Sequence, residues 1–430
     1  MERLMHYVWQ HRLVMQPDMV TTDGERVEII DPGMLNRDAG PDFFNAKVRI
    51  GNRLWCGNVE MHVRASDWHR HGHDSDRAYD SVILHVVAAD DCRIELPDGR
   101  RLPQMVMRCA HDFNERYRRM VDSPADRLAC FDELAGAPSV YITDCLTAMA
   151  FERLYEKVER MLAMLDRLDG NWPEVVYVTL ARALGFGLNS QPFEQLALAV
   201  PLRTLLKHRD TPEAIEGLLF GQAGLLPPEQ AGEDMHLTLL RREYAFMCGK
   251  FGLAPPCGMM WRMARTRPQN FPHRRIAALA TMVSEGFSVA SRVYSVRNLD
   301  DARALFHTSL PYYWQRRYNF GEPSGPASTQ AFSRSSTDIL VINLVVPLLY
   351  AYGSRFGNHA MQDTATALLE QLPAERNSIT RLFAEAGVEC RDAFTSQALI
   401  QLRRAYCEPR KCLYCRLGHR FLSQKAKYRP

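Results

Sequence analysis

The chain has 430 residues, of which 46% are hydrophobic and 24% are charged, and this composition indicates a folded globular protein of two or three domains. A formal net charge of only +3 does not by itself indicate nucleic-acid binding, so such a function has to come from local clusters of basic residues. The N-terminus lacks the pattern of a secretory signal, the longest apolar run (residues 339–352) is too short to span a bilayer, and the eleven cysteines are mostly isolated. We therefore expect a cytoplasmic protein without a membrane partner; the oligomeric state has no signature in the sequence.

Residues 1–110 combine helix and strand patterns. In chain order, the sequence predicts a helix over residues 2–13 and strands over residues 27–30, 42–50, 54–64 and 82–87. Gly51 and Asn52 form a favourable hairpin turn between the second and third strands. We expect these elements to form a small mixed α/β sheet domain over residues 1–122.

Beyond a polar stretch over residues 111–138, the periodicity of the sequence becomes helical. In residues 151–165, apolar side chains recur at spacings of three and four, which is typical of one face of a long amphipathic helix. The sequence therefore predicts a mainly α-helical domain over residues 139–388. A basic, cysteine-rich C-terminal segment, residues 389–430, follows it.

Polar side chains line one face of the third predicted strand. Because side chains alternate along a strand, Glu60 and His62 point to the same side. Asp42 begins the strand that pairs with it across the hairpin. Two carboxylates on paired strands are a common way to hold Mg²⁺ or Mn²⁺, which prefer oxygen ligands. The sequence therefore predicts a metal site at Asp42 and Glu60.

The order of elements around a Pro-Asp pair (at Asp42) and a Glu-Met-His run (from Glu60) resembles the core of the PD-(D/E)XK nuclease superfamily. The resemblance implies that Asp42 and Glu60 bind the metal and that Glu2, on the first helix, is an assisting acid. His62 stands where that family has the lysine that helps to activate the attacking water. Lys47, on the neighbouring strand, is the candidate for a relocated lysine, although strict alternation points it away from Asp42.

A histidine-rich stretch, residues 66–74, follows the third strand. Three histidines lie in it: His69, His71 and His73. Together with the two aspartates of this stretch they suit Zn²⁺ or Mn²⁺ as well as Mg²⁺, although solvated loops have similar compositions. A zinc site built from them and His62 would indicate a zinc-dependent hydrolase of small molecules. His85 lies within the apolar strand that follows and needs a hydrogen-bond partner, such as Glu60 or His62.

Three cysteines lie close together near the C-terminus, at Cys407, Cys412 and Cys415. The last two have the spacing of a metal knuckle. His419 would complete a Cys₃His site for structural Zn²⁺, whereas Cys390 would give a Cys₄ site for Zn²⁺ or an iron–sulfur cluster. We expect zinc rather than an iron–sulfur cluster at this C-terminal cysteine knuckle.

Two basic segments are candidates for binding the phosphate backbone of a nucleic acid. One surrounds a helix predicted to begin at Pro272 and contains Arg265, Arg267, Arg274 and Arg275. Cations in a first helical turn oppose the helix dipole, and either a bound anion or acids from another helix would offset this. The other segment is the tail from residue 401 onward, in which one acid stands among many cations.

Four short motifs lie at separate places along the chain: Ala-Gly-Pro-Asp-Phe from Ala39, Gly-Asn-Val-Glu-Met-His from Gly57, Arg-Pro-Gln-Asn-Phe-Pro from Arg267 and Lys-Cys-Leu-Tyr-Cys from Lys411. By these motifs the chain resembles an uncharacterised bacterial family. That family brings no established activity with it.

The residues lead to three hypotheses. The first is a metal-dependent phosphodiesterase that acts on nucleic acid, in which Asp42 and Glu60 hold Mg²⁺ or Mn²⁺ and His62 orients the attacking water or takes its proton. The second is a nucleic-acid-binding or scaffold protein with a nuclease-like core that no longer catalyses. The third is the zinc-dependent hydrolase of small molecules.

Overall fold

A computed structural model describes residues 2–12, 19–36, 38–96, 98–108, 111–124, 126–229, 234–253, 259–264, 266–321, 323 and 326–423. The chain divides into two compact units. Unit 1 comprises the described residues of Met1–Cys145, Glu385–Val388 and Leu402–Pro430. Unit 2 comprises those of Leu146–Ala384 and Glu389–Gln401.

Unit 1 contains a mixed β-sheet. Its strands are β1 (Val27–Asp31), β2 (Met34–Leu35), β3 (Phe43–Ile50), β4 (Arg53–Arg64), β5 (Val82–Ala89) and β6 (Gln104–Val106). The order across the sheet is β1-β3-β4-β5-β6, and β2 also pairs with β3. Pairing is antiparallel from β1 to β4 and parallel from β4 to β6. The predicted small mixed sheet in the N-terminal part is therefore confirmed.

Helices make up most of the remaining chain, as predicted. In chain order they are α1 (Glu2–Gln10), α2 (Asp67–Arg70), α3 (His111–Val121), α4 (Phe131–Leu134), α5 (Ser139–Arg167), α6 (Trp172–Leu184), α7 (Ser190–Ala199), α8 (Leu202–Leu206), α9 (Pro212–Gln222), α10 (Met235–Phe251), α11 (Pro272–Ser284), α12 (Val289–Arg292), α13 (Leu299–Ala304), α14 (Arg334–Leu340), α15 (Val346–Phe356), α16 (His359–Gln371), α17 (Ser378–Glu385), α18 (Ala393–Gln401) and α19 (Arg416–Ser423).

The hairpin between β3 and β4 contains a bulge that changes which side chains share a face. The register shifts between Phe43 and Ala46, and Asn45 within the bulge has a positive φ of 58°. The extra residue re-phases β3, so that Lys47 lies opposite Cys56 and shares its face of the sheet. The strict alternation assumed from the sequence does not hold across this bulge.

The core of unit 2 is one large cluster of buried apolar side chains drawn from its helices. A continuous helical stretch within it, Arg334–Phe356, is long and apolar enough by length and composition to cross a membrane, but 61% of its most apolar window is buried inside the protein. This stretch is longer than the apolar run in the sequence suggested. A π-helical turn, Val341–Val345, interrupts it. Pro347 explains the turn, because a proline has no N–H to continue the α-helical ladder.

The compact units do not coincide with the three segments expected from the sequence. Unit 1 extends to Cys145, so it includes the first residues of α5, which starts at Ser139. The described part of the C-terminal segment is divided between the units: residues 389–401 belong to unit 2, whereas residues 402–423 belong to unit 1. The helix expected between β4 and β5 is only the four-residue α2, followed by two 3₁₀ turns, His73–Ser75 and Arg77–Tyr79.

Gly57 allows β4 to lie close to the chain that enters β5. A Cβ at this position would lie 2.4 Å from Ile83 Cγ2 and 2.7 Å from the carbonyl oxygen of Ser81. We expect Gly57→Ala to lower the free energy of unfolding by about 1–3 kcal/mol through overpacking, as measured by chemical denaturation. Gly249→Ala in α10, where a Cβ meets nothing within 4 Å, is the control and should be neutral or slightly stabilising. Equal stabilities for both variants would contradict this account.

Candidate functional site

Four elements of unit 1 bring acids and histidines together. Glu2 and His6 lie one turn apart on α1, so they share a helix face. Asp42 immediately precedes β3, and Glu60 and His62 lie on the buried half of β4. Two further histidines come from the segment between β4 and β5: His71 and His73. We call these seven residues the acid–histidine cluster.

Asp42 and Glu60 hold each other in place through the backbone. The N–H of Asp42 donates to Glu60 Oε2 at 3.0 Å, and the N–H of Met61 donates to Asp42 Oδ2 at 2.9 Å. Each carboxylate therefore has one oxygen fixed by the neighbouring strand. The sequence predicted both as ligands of one metal, and this pairing explains how β3 and β4 orient them.

The cluster contains two groups of possible metal ligands. In the first, ligand atoms of Glu2, His6 and Asp42 all lie within 4.8 Å of one another. In the second, the same is true of three histidines: His62, His71 and His73. Glu60 lies between the groups, because its Oε2 contacts Asp42 while its Oε1 is 3.5 Å from His62 Nε2 and 3.4 Å from His73 Nε2.

A chain of buried hydrogen bonds fixes the tautomer of His62. Gln104 Nε2 donates to Asp90 Oδ1 (2.6 Å) and to the carbonyl oxygen of Cys92 (3.1 Å). Its Oε1 therefore faces His85 Nδ1, at 3.0 Å, so His85 donates from Nδ1 and accepts at Nε2. His62 Nδ1, 2.9 Å from His85 Nε2, is then the donor. A neutral His62 consequently has its lone pair on Nε2, which faces the cluster and lies 3.1 Å from His71 Nδ1, so that His71 is the donor to it. The expectation that His85 finds His62 as a partner is confirmed.

Two further imidazole nitrogens of the cluster are candidate metal ligands. Among the described residues, Nε2 of His6 and Nε2 of His73 are buried without a hydrogen-bond partner. Each approaches a carboxylate oxygen, His6 to Asp42 at 3.2 Å and His73 to Glu60 at 3.4 Å, but outside hydrogen-bonding geometry. His73 is held by stacking on Tyr79, with ring centroids 3.7 Å apart. Buried imidazole nitrogens and carboxylate oxygens without donors suit a metal of the Mn²⁺ or Zn²⁺ type.

Burial keeps the side chains of Glu60 and His62 uncharged. Burial raises the pKa of Glu60 to about 9, and the nearby carboxylates of Asp42 and Glu2 add to the effect. Burial, with the neighbouring His85, lowers the pKa of His62 to about 3. At neutral pH Glu60 is therefore protonated and His62 is neutral. A divalent cation bound beside Glu60 would favour the charged carboxylate and release its proton.

Two residues that the sequence proposed for this site lie outside the cluster. Lys47 is exposed and lies opposite Cys56, four residues before Glu60 along β4, which is about 13 Å at the usual rise of a strand. His69 is exposed and pairs with Asp74 at 2.7 Å. The sequence analysis in turn missed His6 and Gln104. The spacing of four between Glu2 and His6 was the only signal for His6.

The C-terminal cysteines have different neighbours from those predicted. The Cys390 thiol belongs to unit 2 and interacts with Asp392 and Glu375. The imidazole of His419 contacts the Tyr7 hydroxyl and the ring of His11. Among the described residues, neither shares with Cys407, Cys412 or Cys415 a group of three ligand atoms that all lie within 4.8 Å of one another, and both assignments stay predictions. Two cysteines that the sequence did not single out interact with members of this group: Cys130 with all three, and Cys145 with Cys415.

The arginines at the start of α11 have structural roles. Arg274 is 4% exposed and donates to the carbonyl oxygens of Trp314 and Arg317. Arg275 is 1% exposed and donates to the carbonyl oxygen of Ala331. Carbonyl oxygens, rather than an anion or acids, thus compensate these charges, and the prediction that both bind nucleic acid does not fit their burial. Arg267 is exposed, and Arg265 lies outside the described residues.

Comparison with known proteins places the chain in a family. A family model described as "Protein of unknown function (DUF2851)" matches residues 2–378, and the chain belongs to this family. The expectation of an uncharacterised family is thereby confirmed. No curated protein and no solved structure matches the chain.

The raised pKa of Glu60 predicts how the stability of the metal-free protein depends on pH. Between about 4.5 and about 9 the folded state holds a proton that the unfolded state releases, so stability falls as pH rises, by up to about 1.4 kcal/mol per pH unit. The lowered pKa of His62 changes the pH dependence of stability only below pH 6.5, the ordinary pKa of a histidine. We expect denaturation of the chelated protein between about pH 6.5 and pH 8 to show this fall, and Glu60→Gln to abolish it. A parallel fall in both proteins would contradict the prediction.

Proposed function

We propose that the acid–histidine cluster is the metal centre of a hydrolase that cleaves phosphodiesters in nucleic acid. The observation that carries this proposal is the position of two buried imidazole nitrogens without hydrogen-bond partners: the Nε2 atoms of His6 and His73 lie 3.2 and 3.4 Å from the interlocked carboxylates of Asp42 and Glu60. Unpaired buried polar atoms cost free energy, and a divalent cation would satisfy several at once.

The order of elements supports a nuclease of the PD-(D/E)XK type. A helix, an antiparallel run of strands ending in β4 and a parallel β5 follow one another, with the carboxylates at the start of β3 and in the middle of β4. The resemblance in the sequence implied these elements together with a helix between β4 and β5, where the chain has the four-residue α2. His62 replaces the lysine of that family, and its fixed tautomer suits it to be a ligand rather than a cation.

The residues divide the chemistry between them. Asp42, Glu60 and His62 would hold Mn²⁺ or Mg²⁺, with Glu2 and His6 beside them. When bound, such an ion supplies Lewis acidity toward a phosphodiester oxygen and lowers the pKa of water. Glu60, whose pKa is raised, would release its proton to solvent when the metal binds, and Nε2 of His73, which has no hydrogen-bond partner, would take a proton from the attacking water.

A cleavage assay tests this assignment. We expect the purified protein with Mn²⁺ to cleave DNA or RNA, and Asp42→Asn and Glu60→Gln to lower the rate by about 100-fold or more. Glu28→Gln is the matched control, since Glu28 is an exposed carboxylate on β1 of the same sheet. Cleavage that survives both ligand variants would overturn the proposal. Metal-independent binding without turnover would favour the non-catalytic protein.

A zinc-dependent hydrolase of small molecules is a second candidate, favoured by one observation. The three histidine nitrogens of His62, His71 and His73 lie within 4.8 Å of one another, and three histidines are a frequent zinc-ligand set. Stoichiometric zinc that is lost in His73→Ala, together with hydrolysis of small esters but not of nucleic acid, would support this candidate.

We expect Lys47 to contribute to nucleic-acid binding but not to the rate of cleavage. It lies on the Glu60 face of the sheet, and at about 13 Å it is within the reach of a few nucleotides. Lys47→Ala should weaken nucleic-acid binding and reduce the salt slope by about 1 while leaving kcat unchanged. The control is Arg53→Ala, because Arg53 is exposed on the opposite face. A loss of kcat in Lys47→Ala would instead place this lysine in the chemistry.

A further inference from the structure

The second feature of unit 1 is a corner where five cysteines meet. Cys415 directly precedes α19, and its sulfur accepts hydrogen bonds from the backbone N–H groups of Leu417 and Gly418. A Cβ at Gly418 would lie 2.1 Å from the carbonyl oxygen of Cys412, so the first turn of the helix packs directly on the knuckle. This is how backbone amides at a helix start stabilise a thiolate.

A distant part of the chain packs against this knuckle. The Arg410 guanidinium donates to Ser123 Oγ at 2.8 Å and to the carbonyl oxygens of Ser123 and Pro124 at 2.6 and 2.8 Å. These bonds fix residues 123–124, which lead into the segment that carries Cys130. The Cys130 thiol then lies within electrostatic reach of three others, those of Cys407, Cys412 and Cys415.

Cys145 has a different position from the other four. It lies on α5, is 0% exposed and shares a hydrogen bond with the Cys415 sulfur. The sharing raises the pKa of Cys145 and, with the backbone donors, lowers that of Cys415 to about 7. Cys145 is thus the donor in this hydrogen bond and Cys415 the acceptor. This role matches that of a residue that supports a metal ligand from behind.

We propose that Cys130, Cys407, Cys412 and Cys415 form a four-thiolate centre that holds an iron–sulfur cluster. Thiolates select zinc and iron–sulfur clusters over harder ions. A single zinc ion at 2.3 Å from each sulfur would hold the sulfurs about 3.8 Å apart. Among the described residues, however, the groups whose ligand atoms all lie within 4.8 Å of one another contain no cysteine. A cluster places each thiolate on a different iron and therefore accepts the wider spacing.

Burial raises the pKa of Cys407 to about 12 and that of Cys412 to about 11, and the neighbouring thiols add to both effects. Cys412 and Cys415 are buried and Cys130 and Cys407 are half-buried, so the corner is largely shielded from water. The centre would tie the segment before α5 to the C-terminal segment of unit 1, a role in folding that does not depend on the proposed hydrolase activity.

The test uses the full-length protein, purified without oxygen. We expect about four iron and four acid-labile sulfide per chain, with visible absorption that bleaches on reduction. Cys130→Ser and Cys412→Ser should each lower the iron content below about one per chain. Two variants are matched controls that should retain it: Cys390→Ser in unit 2 and the exposed Cys56→Ser. Cys145→Ser should also retain iron but shift the absorption or the reduction potential, because a hydroxyl donor replaces the weaker S–H donor to Cys415.

Four results would overturn the proposal. These are protein without iron and sulfide, iron retained in Cys130→Ser, iron lost in Cys390→Ser, or one zinc per chain in place of the cluster. Circular dichroism of each variant separates loss of the centre from general unfolding. Cleavage by a protein that lacks the cluster would support the proposed hydrolase and contradict the proposed cluster. An intact cluster in a protein without cleavage activity would support the cluster and contradict the hydrolase.

Discussion

The burial of ionisable side chains in the middle of β4 is the constraint on which the rest of unit 1 depends. Glu60 is 4% exposed and His62 is 1% exposed, so neither can keep its charge by contact with water. The protein satisfies them internally: Asp42 supplies a backbone donor to one, and His85 supplies an acceptor to the other. Unit 1 is therefore organised around a polar interior rather than around an apolar one alone.

This arrangement makes part of the site rigid and leaves part of it unsatisfied. The relay through Gln104 lies on β4, β5 and β6, where backbone hydrogen bonds fix each strand relative to the next. His6 and His73, in contrast, come from a helix and a turn, and their buried nitrogens have no hydrogen-bond partner among the described residues. A rigid ligand set beside unpaired ligands is the combination expected of a metal centre, in which the ion supplies the last interactions.

The sequence predicted the strands that carry Glu60 and His62 well because their signal is local. Alternation placed Glu60 and His62 on one face, and the hairpin turn brought Asp42 beside them. Lys47 was misplaced because a bulge is invisible to strict alternation. The fourth cysteine could not be found because Cys130 lies far from the knuckle along the chain and carries no spacing signal. Arg274 and Arg275 were read as surface cations because their partners are carbonyl oxygens from residues distant in sequence.

The same helix links the two proposed centres of unit 1. One face of α1 carries Glu2 and His6 to the carboxylates, while Tyr7 contacts His419 on α19, 412 residues away. The first turn of α19 in turn supplies the backbone donors of the Cys415 sulfur. Removing the cysteine centre would therefore release α19 and, through Tyr7, loosen the helix that positions two groups beside the hydrolytic metal. Because His6 and Glu2 depend on this contact whereas Glu60 and His62 are held by the sheet, the loss should weaken the metal site without dismantling it.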